Sequence, residues 1–245
     1  MRRHDFLHAL HQRLRPRTYV ETGIYKGESL VLSHVPSIGI DPEFAVETEL
    51  RADVHLARTS SDEFFARPHP VAHLPEDVID LAFIDGMHLS EYALRDFLAI
   101  ERFTAPTSVL VFDDMLPRSV DEAARYRHTN AWTGDVFKAA QALRDLRPDL
   151  VVIEVNTTTT GVVVVLLPDA RNGGVLAGYD DWLEVAVSPD PQDVPTEVLT
   201  RSRAVDPDRL VECSGWAELA RLRDSSRKVD YADRIRHSFR EFITG

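Results

Sequence analysis

The segment from Tyr19 to Asp41 constrains the fold of this chain more than any other part of the sequence. It reads Tyr-Val-Glu-Thr-Gly-Ile-Tyr-Lys-Gly-Glu-Ser-Leu from residue 19 and Ser-Ile-Gly-Ile-Asp from residue 37. This order predicts a short strand, a tight glycine turn, a helix and a second strand that ends in a carboxylate. The pattern is typical of a nucleotide-binding half of an open α/β sheet.

Strand-like and helix-like patterns alternate along the first two thirds of the chain. Nearly continuous apolar runs, such as residues 79–84 and 108–112, are typical of strands buried on both faces. They therefore predict a parallel sheet with helices on each side. The predicted strands are 18–22, 37–41, 53–57, 79–84, 107–112, 150–155 and 161–167. The predicted helices are 3–14, 26–34, 43–50, 60–66, 89–103 and 134–147.

The last two predicted strands are joined by a connection that is too short for a helical crossover, so they form an antiparallel hairpin at one edge. We therefore predict a Rossmann-like α/β fold with a seven-stranded, mostly parallel sheet and one antiparallel strand in a C-terminal hairpin. Residues 1–168, with an N-terminal helix within residues 1–15, form the predicted ligand-binding and catalytic domain. Residues 169–245 form a mainly helical extension, with helices at 214–224 and 229–242. The sequence leaves open whether this extension is a cover, an oligomerisation segment or plain packing.

Composition narrows the classes of partner. The formal net charge is −12, which disfavours a nucleic acid as substrate. The longest apolar run, Val162–Leu167, is too short to span a bilayer, so no membrane partner is expected. The single Cys213 excludes an intramolecular disulfide and suits a cytoplasmic protein, and the N-terminus predicts no secretory signal. A small-molecule substrate is expected, with a homo-oligomer as an open alternative.

A ligand is expected where the carboxyl ends of the parallel strands meet. Gly23 and Gly27 allow the backbone to turn sharply and to approach a ligand closely. Asp41 stands 18 residues after Gly23 at the end of the second strand, where its carboxylate can accept hydrogen bonds from both hydroxyls of a ribose. Ser61 follows the third strand, where an adenine amino group finds acceptors.

The residue types favour one nucleotide-like ligand over another. Glu21 precedes the first glycine and would repel a pyrophosphate, and the three-glycine spacing of dinucleotide sites is absent. A ligand with a ribose and a positively charged end fits better, and S-adenosylmethionine has both. Glu21 is predicted to face its ammonium group, directly or through water.

Carboxylates also follow the fourth and fifth predicted strands. Asp85 ends the fourth, and Asp113 with Asp114 ends the fifth. Three neighbouring carboxylates repel one another unless a cation lies among them, and Mg²⁺ or Ca²⁺ prefers oxygen ligands. The alternative is that one aspartate caps a helix and another is solvated.

Two further segments predict catalytic and substrate contacts. His88 lies three residues after Asp85, and an imidazole suits a general base near neutral pH. Its alternative role is a structural hydrogen bond. Trp132 could line a substrate pocket into which Asp135 or Lys138 reaches. The alternative for this segment is a capped helix with a core tryptophan.

Together these motifs resemble the class I S-adenosylmethionine-dependent methyltransferases, and most closely the bacterial macrocin- and aminocoumarin-type O-methyltransferases of sugars and other small molecules. The residues that carry the resemblance lie within about 15–167: Glu21-x-Gly23-x-x-x-Gly27, Ile40-Asp41, Phe83-Ile-Asp85-Gly-x-His88 and Phe112-Asp113-Asp114. The resemblance implies metal-assisted methyl transfer to a hydroxyl of a sugar or natural product.

The resemblance also implies roles for single residues. In that family Mg²⁺ is bound after the fourth strand and by an acidic pair after the fifth, which correspond here to Asp85, Asp113 and Asp114. Metal-dependent catechol-type relatives have a lysine base where this chain has His88. The implied cofactors are therefore S-adenosylmethionine and Mg²⁺, with Asp85 contacting cofactor and metal and acting with His88 in catalysis.

Two other functions stay open at the level of sequence. Proteins related to cephalosporin hydroxylases have similar acidic motifs, but this chain shows no evident triad of two histidines and one carboxylate for iron. A binding module that holds the cofactor without catalysis is the second alternative, although the aspartates and His88 argue against it.

Overall fold

The computed structural model describes residues 1–225 and 230–243. Its strands are β1 (Tyr19–Thr22), β2 (Ser37–Ile40), β3 (Val54–Ala57), β4 (Ile79–Ile84), β5 (Thr104–Phe112), β6 (Val151–Val155) and β7 (Val162–Leu166). Its helices are α1 (Arg3–Leu14), α2 (Ser61–Phe65), α3 (Ser90–Glu101), α4 (Phe137–Leu146), α5 (Tyr179–Ala186), α6 (Thr196–Leu199), α7 (Pro207–Val211), α8 (Gly215–Arg223) and α9 (Tyr231–Ser238).

The seven strands form one sheet in the order β3-β2-β1-β4-β5-β7-β6. The first five strands are parallel, and β7 runs antiparallel to both of its neighbours, β5 and β6. The short β6–β7 connection forces this reversal, as predicted. The predicted α/β fold with one reversed strand is therefore confirmed.

Helices cover both faces of the sheet because successive strand residues point to opposite sides. On one face, α2, α3 and α4 pack against apolar side chains such as Val20, Ile84 and Phe112. On the other face, α1, α7, α8 and α9 pack against side chains such as Leu81 and Val111. The sheet is thus the middle of three layers.

The described part of residues 169–245 supplies much of the second helical layer. Trp216 of α8 is fully buried against Phe239, and both belong to the apolar cluster that includes β4 and β5. Helix α1 joins the same layer through Phe6 and Leu10, which lie at helical spacing. The two ends of the chain therefore pack together on one face of the sheet.

Two predicted helices are wrong, and both lie between the first three strands. Residues 26–34 contain only a 3₁₀ turn at Leu30–Leu32, since Gly27 takes a left-handed φ of 82° near the start of the segment. Residues 43–50 form no helix. Their backbone instead pairs with the loop after β1, where Ala45 N–H donates to the Tyr25 carbonyl at 2.9 Å.

The remaining helix predictions are confirmed at 3–14, 60–66, 89–103, 134–147 and 214–224, with ends shifted by up to three residues. The helix predicted at 229–242 is α9 followed by a 3₁₀ turn at Arg240–Phe242, and residue 229 lies outside the described residues. Helices α5, α6 and α7 lie in a segment where the sequence showed only weak periodicity. None of the described helices is long and apolar enough to cross a membrane.

Candidate active site

A cavity of about 990 Å³ opens where β1 to β5 end at their carboxyl termini. The chain leaves β1 toward β2 on one side and leaves β4 toward β5 on the other side. Open α/β sheets bind ligands where neighbouring strands connect in opposite directions in this way. Its walls come from the loops after these strands, from the start of α1, from the 127–132 segment and from the tip of the β6–β7 hairpin. The site residues predicted from sequence that line it are Gly23, Asp41, Ser61, Asp85, His88, Asp114 and Trp132.

Gly23 makes the close approach between β1 and β4 possible. Its φ is 82°, and its N–H donates to the Ile40 carbonyl at 2.8 Å. A Cβ at this position would lie 1.8 Å from the carbonyl oxygen of Asp85. Only glycine fits here. Gly27 has a φ of 82° in the same loop but does not line the cavity.

The Asp41 carboxylate is fixed at the cavity wall by two backbone donors. The N–H of Tyr25 donates to Oδ2 at 2.8 Å, and the N–H of Glu43 donates to Oδ1 at 2.6 Å. Each carboxylate oxygen can accept more than one hydrogen bond. Asp41 is therefore oriented in advance for a hydroxylated ligand such as a ribose.

Glu21 lies away from the cavity. Its side chain is fully buried, and its two oxygens accept hydrogen bonds from the hydroxyls of Tyr19 at 2.7 Å and Ser29 at 2.5 Å. Burial raises the pKa of Glu21 to about 8, although both hydrogen bonds oppose that shift. Both oxygens of Glu21 are thus engaged by protein hydroxyls and the residue does not line the cavity, so its contact with a ligand's ammonium stays a prediction.

Ser61 lies at the start of α2 and donates its hydroxyl to Asp96 at 2.5 Å. Asp96 is buried in α3 and also lines the cavity, and burial raises its pKa to about 6. Asp96 was not predicted as a site residue. The available signal was its position directly before the apolar residues 97–100 of a predicted helix.

Two of the three aspartates predicted to hold a metal, Asp85 and Asp113, contact an arginine. Arg3, in the first turn of α1, places Nη1 3.3 Å from Asp85 and in hydrogen-bond contact with Asp113. The second oxygen of Asp113, Oδ1, is buried and has no hydrogen-bond partner in the described part of the chain. Asp114 accepts a hydrogen bond from Thr160 at the hairpin tip. Arg3 is the main feature of the site that sequence reasoning missed.

His88 lies between Asp85 and Asp114 and contacts both carboxylates. Its Nε2 lies 3.5 Å from Asp85, and its Nδ1 lies 3.1 Å from Asp114 and 3.0 Å from the carbonyl oxygen of Trp132. Burial by itself lowers the pKa of His88, but the hydrogen bond to Asp85 and the two carboxylate charges outweigh it and raise that pKa. Burial and the nearby Asp85 raise the pKa of Asp114.

One group of side chains in the described residues has the spacing of a metal site. Asp85, His88 and Asp114 each offer a ligand atom, and these atoms lie within 4.8 Å of one another. The sequence predicted Asp113 instead of His88. Asp113 falls outside this group: its Oδ2 contacts Arg3 and its Oδ1 is buried without a hydrogen-bond partner in the described residues.

Trp132 forms part of the wall beside His88. The imidazole and indole rings are stacked, with centroids 5.0 Å apart and planes 8° from parallel. The indole N–H donates to the Ala124 carbonyl at 2.6 Å, which fixes the ring. The guanidinium of Arg127 lies 6.0 Å from the indole centroid and also lines the cavity.

Asp135 and Lys138 do not reach the cavity. Asp135 is fully buried and accepts a hydrogen bond from the N–H of Ser90 at 2.9 Å, so it caps the start of α3. Its other oxygen contacts Arg125 at 2.6 Å and Lys138 at 3.3 Å. Asp135 and Lys138 therefore have structural roles, but the alternative of a capped helix with a core tryptophan is not found, since Asp135 caps α3 and Trp132 lines the cavity.

Charge is distributed unevenly along the cavity. The half beyond β1, β2 and β3 has four acidic residues in its wall and no lysine or arginine among the described residues that line it. The acidic residues are Asp41, Glu43, Asp62 and Asp96. The half beyond β4 and β5 contains His88, the aspartates and three arginines, Arg2, Arg3 and Arg127. Asp62 is paired with Arg95 at 2.8 Å, but Asp41 and Glu43 have no lysine or arginine partner in the described residues, so the first half still favours a cationic ligand. The second half contains groups that can take up a proton.

The family model of a methyltransferase domain matches residues 20–115, from β1 to the end of β5. This segment contains Gly23, Asp41, Asp85, His88 and Asp114. The match identifies a methyltransferase domain in this segment, the enzyme class that the motifs predicted. No curated protein matches the chain.

Several solved structures have a similar backbone. An O-methyltransferase of Streptomyces achromogenes involved in tomaymycin synthesis, in complex with S-adenosylmethionine, is 20% identical over 67% of this chain and 78% of its own, with a TM-score of 0.47. An O-methyltransferase from Bacillus cereus with bound S-adenosylhomocysteine is 14% identical over 66% and 80%, with a TM-score of 0.47. A Podospora anserina methyltransferase with S-adenosylhomocysteine is 13% identical over 68% and 78%, with a TM-score of 0.46. At these scores the likeness carries no argument about substrate.

Proposed function

We propose that this methyltransferase transfers the methyl group of S-adenosylmethionine to a hydroxyl oxygen of a small molecule, such as a sugar or a natural product. One observation carries the proposal. A single cavity joins an acidic half, suited to a cationic nucleoside, to a half in which His88 stands beside two aspartates. The two halves meet at Asp85, between the ends of β1 and β5.

The acidic half supplies the contacts that the cofactor requires. Asp41 is oriented for the ribose, and the pair Ser61–Asp96 offers acceptors for the adenine amino group. Gly23 leaves room for the ligand to approach the backbone at the strand end. The absence of a lysine or arginine from the described wall of this half lets the positive sulfonium and ammonium groups bind without repulsion.

The other half supplies a base. The carbonyl of Trp132 accepts a hydrogen bond from Nδ1 of a neutral His88, so Nε2 is the nitrogen that can take a proton. As the acceptor oxygen forms its bond to the methyl carbon, the carbon–sulfur bond breaks and the sulfur keeps the electron pair. The hydroxyl proton passes to Nε2, and S-adenosylhomocysteine leaves. Holding both reactants in one cavity supplies part of the rate.

The proposal includes assistance by a divalent cation, and the residues present fit one in part. Asp85, His88 and Asp114 would hold it, and His88 bound to the ion through Nε2 would not also take the proton, so a carboxylate of the cluster would then be the base. This set of two carboxylates and an imidazole suits Mn²⁺ or Zn²⁺ as well as Mg²⁺. When bound, such an ion would lower the pKa of the acceptor hydroxyl. The contact of Arg3 with Asp85 opposes that binding.

The test is release of S-adenosylhomocysteine over a library of sugars, phenols and polyketide alcohols, with and without EDTA. Turnover of at least one hydroxylated acceptor, abolished in His88→Gln, supports the proposal. Cofactor binding without turnover of any acceptor would favour the non-catalytic binding module. Equal turnover with and without EDTA would remove the metal from the mechanism and leave the methyl transfer intact.

A further inference from the structure

We propose that Arg3 is a built-in counter-ion of the acidic cluster and competes with a divalent cation for Asp85. The inference rests on the proposed function, because it concerns the same aspartates. It goes beyond that function by assigning a role to the N-terminal helix, which lies outside the matched methyltransferase domain. Arg3 then supplies positive charge that we expected a metal ion to supply.

Arg3 contacts two of the carboxylates that were predicted to bind a metal, Asp85 and Asp113. Its Nη1 lies 3.3 Å from Oδ2 of Asp85 and contacts Oδ2 of Asp113. The Asp113 side chain is 1% exposed and that of Asp85 is 13% exposed, whereas the Arg3 side chain is 36% exposed, so water screens this pair of contacts only in part. The buried, unpartnered Oδ1 of Asp113 keeps additional negative charge beside the guanidinium.

Arg3 is held in place by the fold. It lies in the first turn of α1, and Phe6 and Leu7 of that helix are fully buried in the second apolar layer. The preceding residues pair with the hairpin tip, where the N–H of Thr158 donates to the carbonyl of Met1 at 2.9 Å and Arg2 forms a parallel bridge to Thr158. The guanidinium is therefore part of the cavity wall.

Arg3 and a divalent cation would both bind the carboxylate of Asp85. Its Oδ2 faces Arg3, while its Oδ1 faces His88 and belongs to the Asp85–His88–Asp114 group. A divalent ion in that group would lie within a few ångströms of a positive guanidinium. At such separations, repulsion in a partly buried site weakens binding by about tenfold or more. Wild-type protein is thus expected to bind divalent ions weakly.

The experiment measures Mn²⁺ binding by calorimetry and by the electron paramagnetic resonance signal of free Mn²⁺. The proteins are wild type, Arg3→Gln, Arg3→Met, Arg2→Gln and the double variant Arg3→Gln/Asp85→Asn. Arg2 is the matched control, since it also lines the cavity and has no ion pair in the described residues. We expect each neutral variant at position 3 to bind Mn²⁺ about tenfold or more tightly than wild type. We expect Arg2→Gln to change the affinity less than about threefold, and Asp85→Asn to abolish the gain.

Three results would overturn the proposal: unchanged Mn²⁺ affinity in both variants at position 3, an equal gain in Arg2→Gln, or persistence of the gain in the double variant. Two different replacements guard against a variant that does not fold, and a thermal unfolding curve identifies one. S-adenosylhomocysteine binding is measured on the same samples. Its absence from all of them would count against the proposed function, whereas normal binding with unchanged Mn²⁺ affinity would count against Arg3 alone.

Discussion

The imidazole of His88 is stacked on the indole of Trp132, and the main-chain carbonyl of the same tryptophan accepts a hydrogen bond from Nδ1 at 3.0 Å. One residue therefore fixes both the plane of the proposed base and the nitrogen that carries the proton. This pairing ties the 127–132 segment to the end of β4, and it makes the position of the base dependent on a side chain 44 residues away.

Removing the stack should reduce catalysis without reducing cofactor binding. We expect Trp132→Ala to lower kcat/KM by about tenfold to a hundredfold, because a misplaced base loses its alignment with the acceptor. Initial rates of S-adenosylhomocysteine release measure this. Trp182→Ala is the matched control, since Trp182 contacts Tyr179 and does not line the cavity. Wild-type kcat/KM in Trp132→Ala would show that the stack does not position the base.

Removing the base should have a larger effect. We expect His88→Gln to lower kcat by about a hundredfold or more, the usual contribution of general base catalysis. Affinity for S-adenosylhomocysteine should change less than about threefold, because Asp41 and the Ser61–Asp96 pair remain. The control is His55→Gln on β3, outside the cavity lining. A His88→Gln enzyme with near-normal kcat would assign proton removal to another group.

Two glycines allow a direct test of the close approach between β1 and β4. Gly23 and Gly173 both have positive φ, but a Cβ at Gly173 meets nothing within 4 Å. We expect Gly173→Ala to lower the free energy of unfolding by about 1 kcal/mol. Gly23→Ala should cost several kcal/mol, because its Cβ would overlap the carbonyl of Asp85. Denaturant unfolding measures the stability of both variants. Equal losses of unfolding free energy would argue against the close approach of β1 and β4.

The buried carboxyl of Glu21 predicts a dependence of stability on pH. Its pKa is raised from 4.5 to about 8 by burial, so the folded state keeps the proton through a window in which the unfolded state loses it. The sign follows directly: stability is greatest below 4.5 and falls as pH rises toward 8. The difference in unfolding free energy between wild type and Glu21→Gln should therefore shift by a few kcal/mol against wild type across this window.

The matched control for this pH dependence is Glu47→Gln, because Glu47 is exposed on the surface beside Lys26. The difference in unfolding free energy between Glu47→Gln and wild type should stay nearly constant over the whole pH range measured. The measurement is denaturant unfolding at several pH values between 5 and 8. A constant difference between wild type and Glu21→Gln would mean that Glu21 is ionised in the folded protein.

The strand positions could be predicted because buried parallel strands show as short apolar runs, as at Ile79–Ile84. The reversed strand followed from a connection too short for a crossover. The helices predicted at 26–34 and 43–50 were wrong because Gly27 takes a left-handed φ and because the backbone of 43–50 pairs with the loop after β1. The hydrogen bond from Ala45 to Tyr25 joins residues about 20 positions apart, so no local pattern contains it.

In the candidate site, too, some residues were predictable from local sequence patterns and others depend on packing. Gly23, Asp41, Asp85 and His88 lie at strand ends and were predictable from their order in the sequence. Glu21 was placed at the ligand, yet alternation along β1 puts it on the face of Tyr19 and away from the cavity. Contacts such as that between Arg3 and Asp113 join residues 110 positions apart, so they follow only from the three-dimensional packing.

The most direct test of the account is calorimetric titration of S-adenosylmethionine into the purified, folded protein, with Asp41→Ala measured in parallel. We predict one site per chain with a dissociation constant between about 1 μM and 1 mM, the usual range for an enzyme and its substrate. We predict that Asp41→Ala weakens binding about tenfold or more, through the lost hydrogen bonds to the ribose. No binding at millimolar ligand, or equal affinity in Asp41→Ala, would contradict the assignment of this cavity to the cofactor.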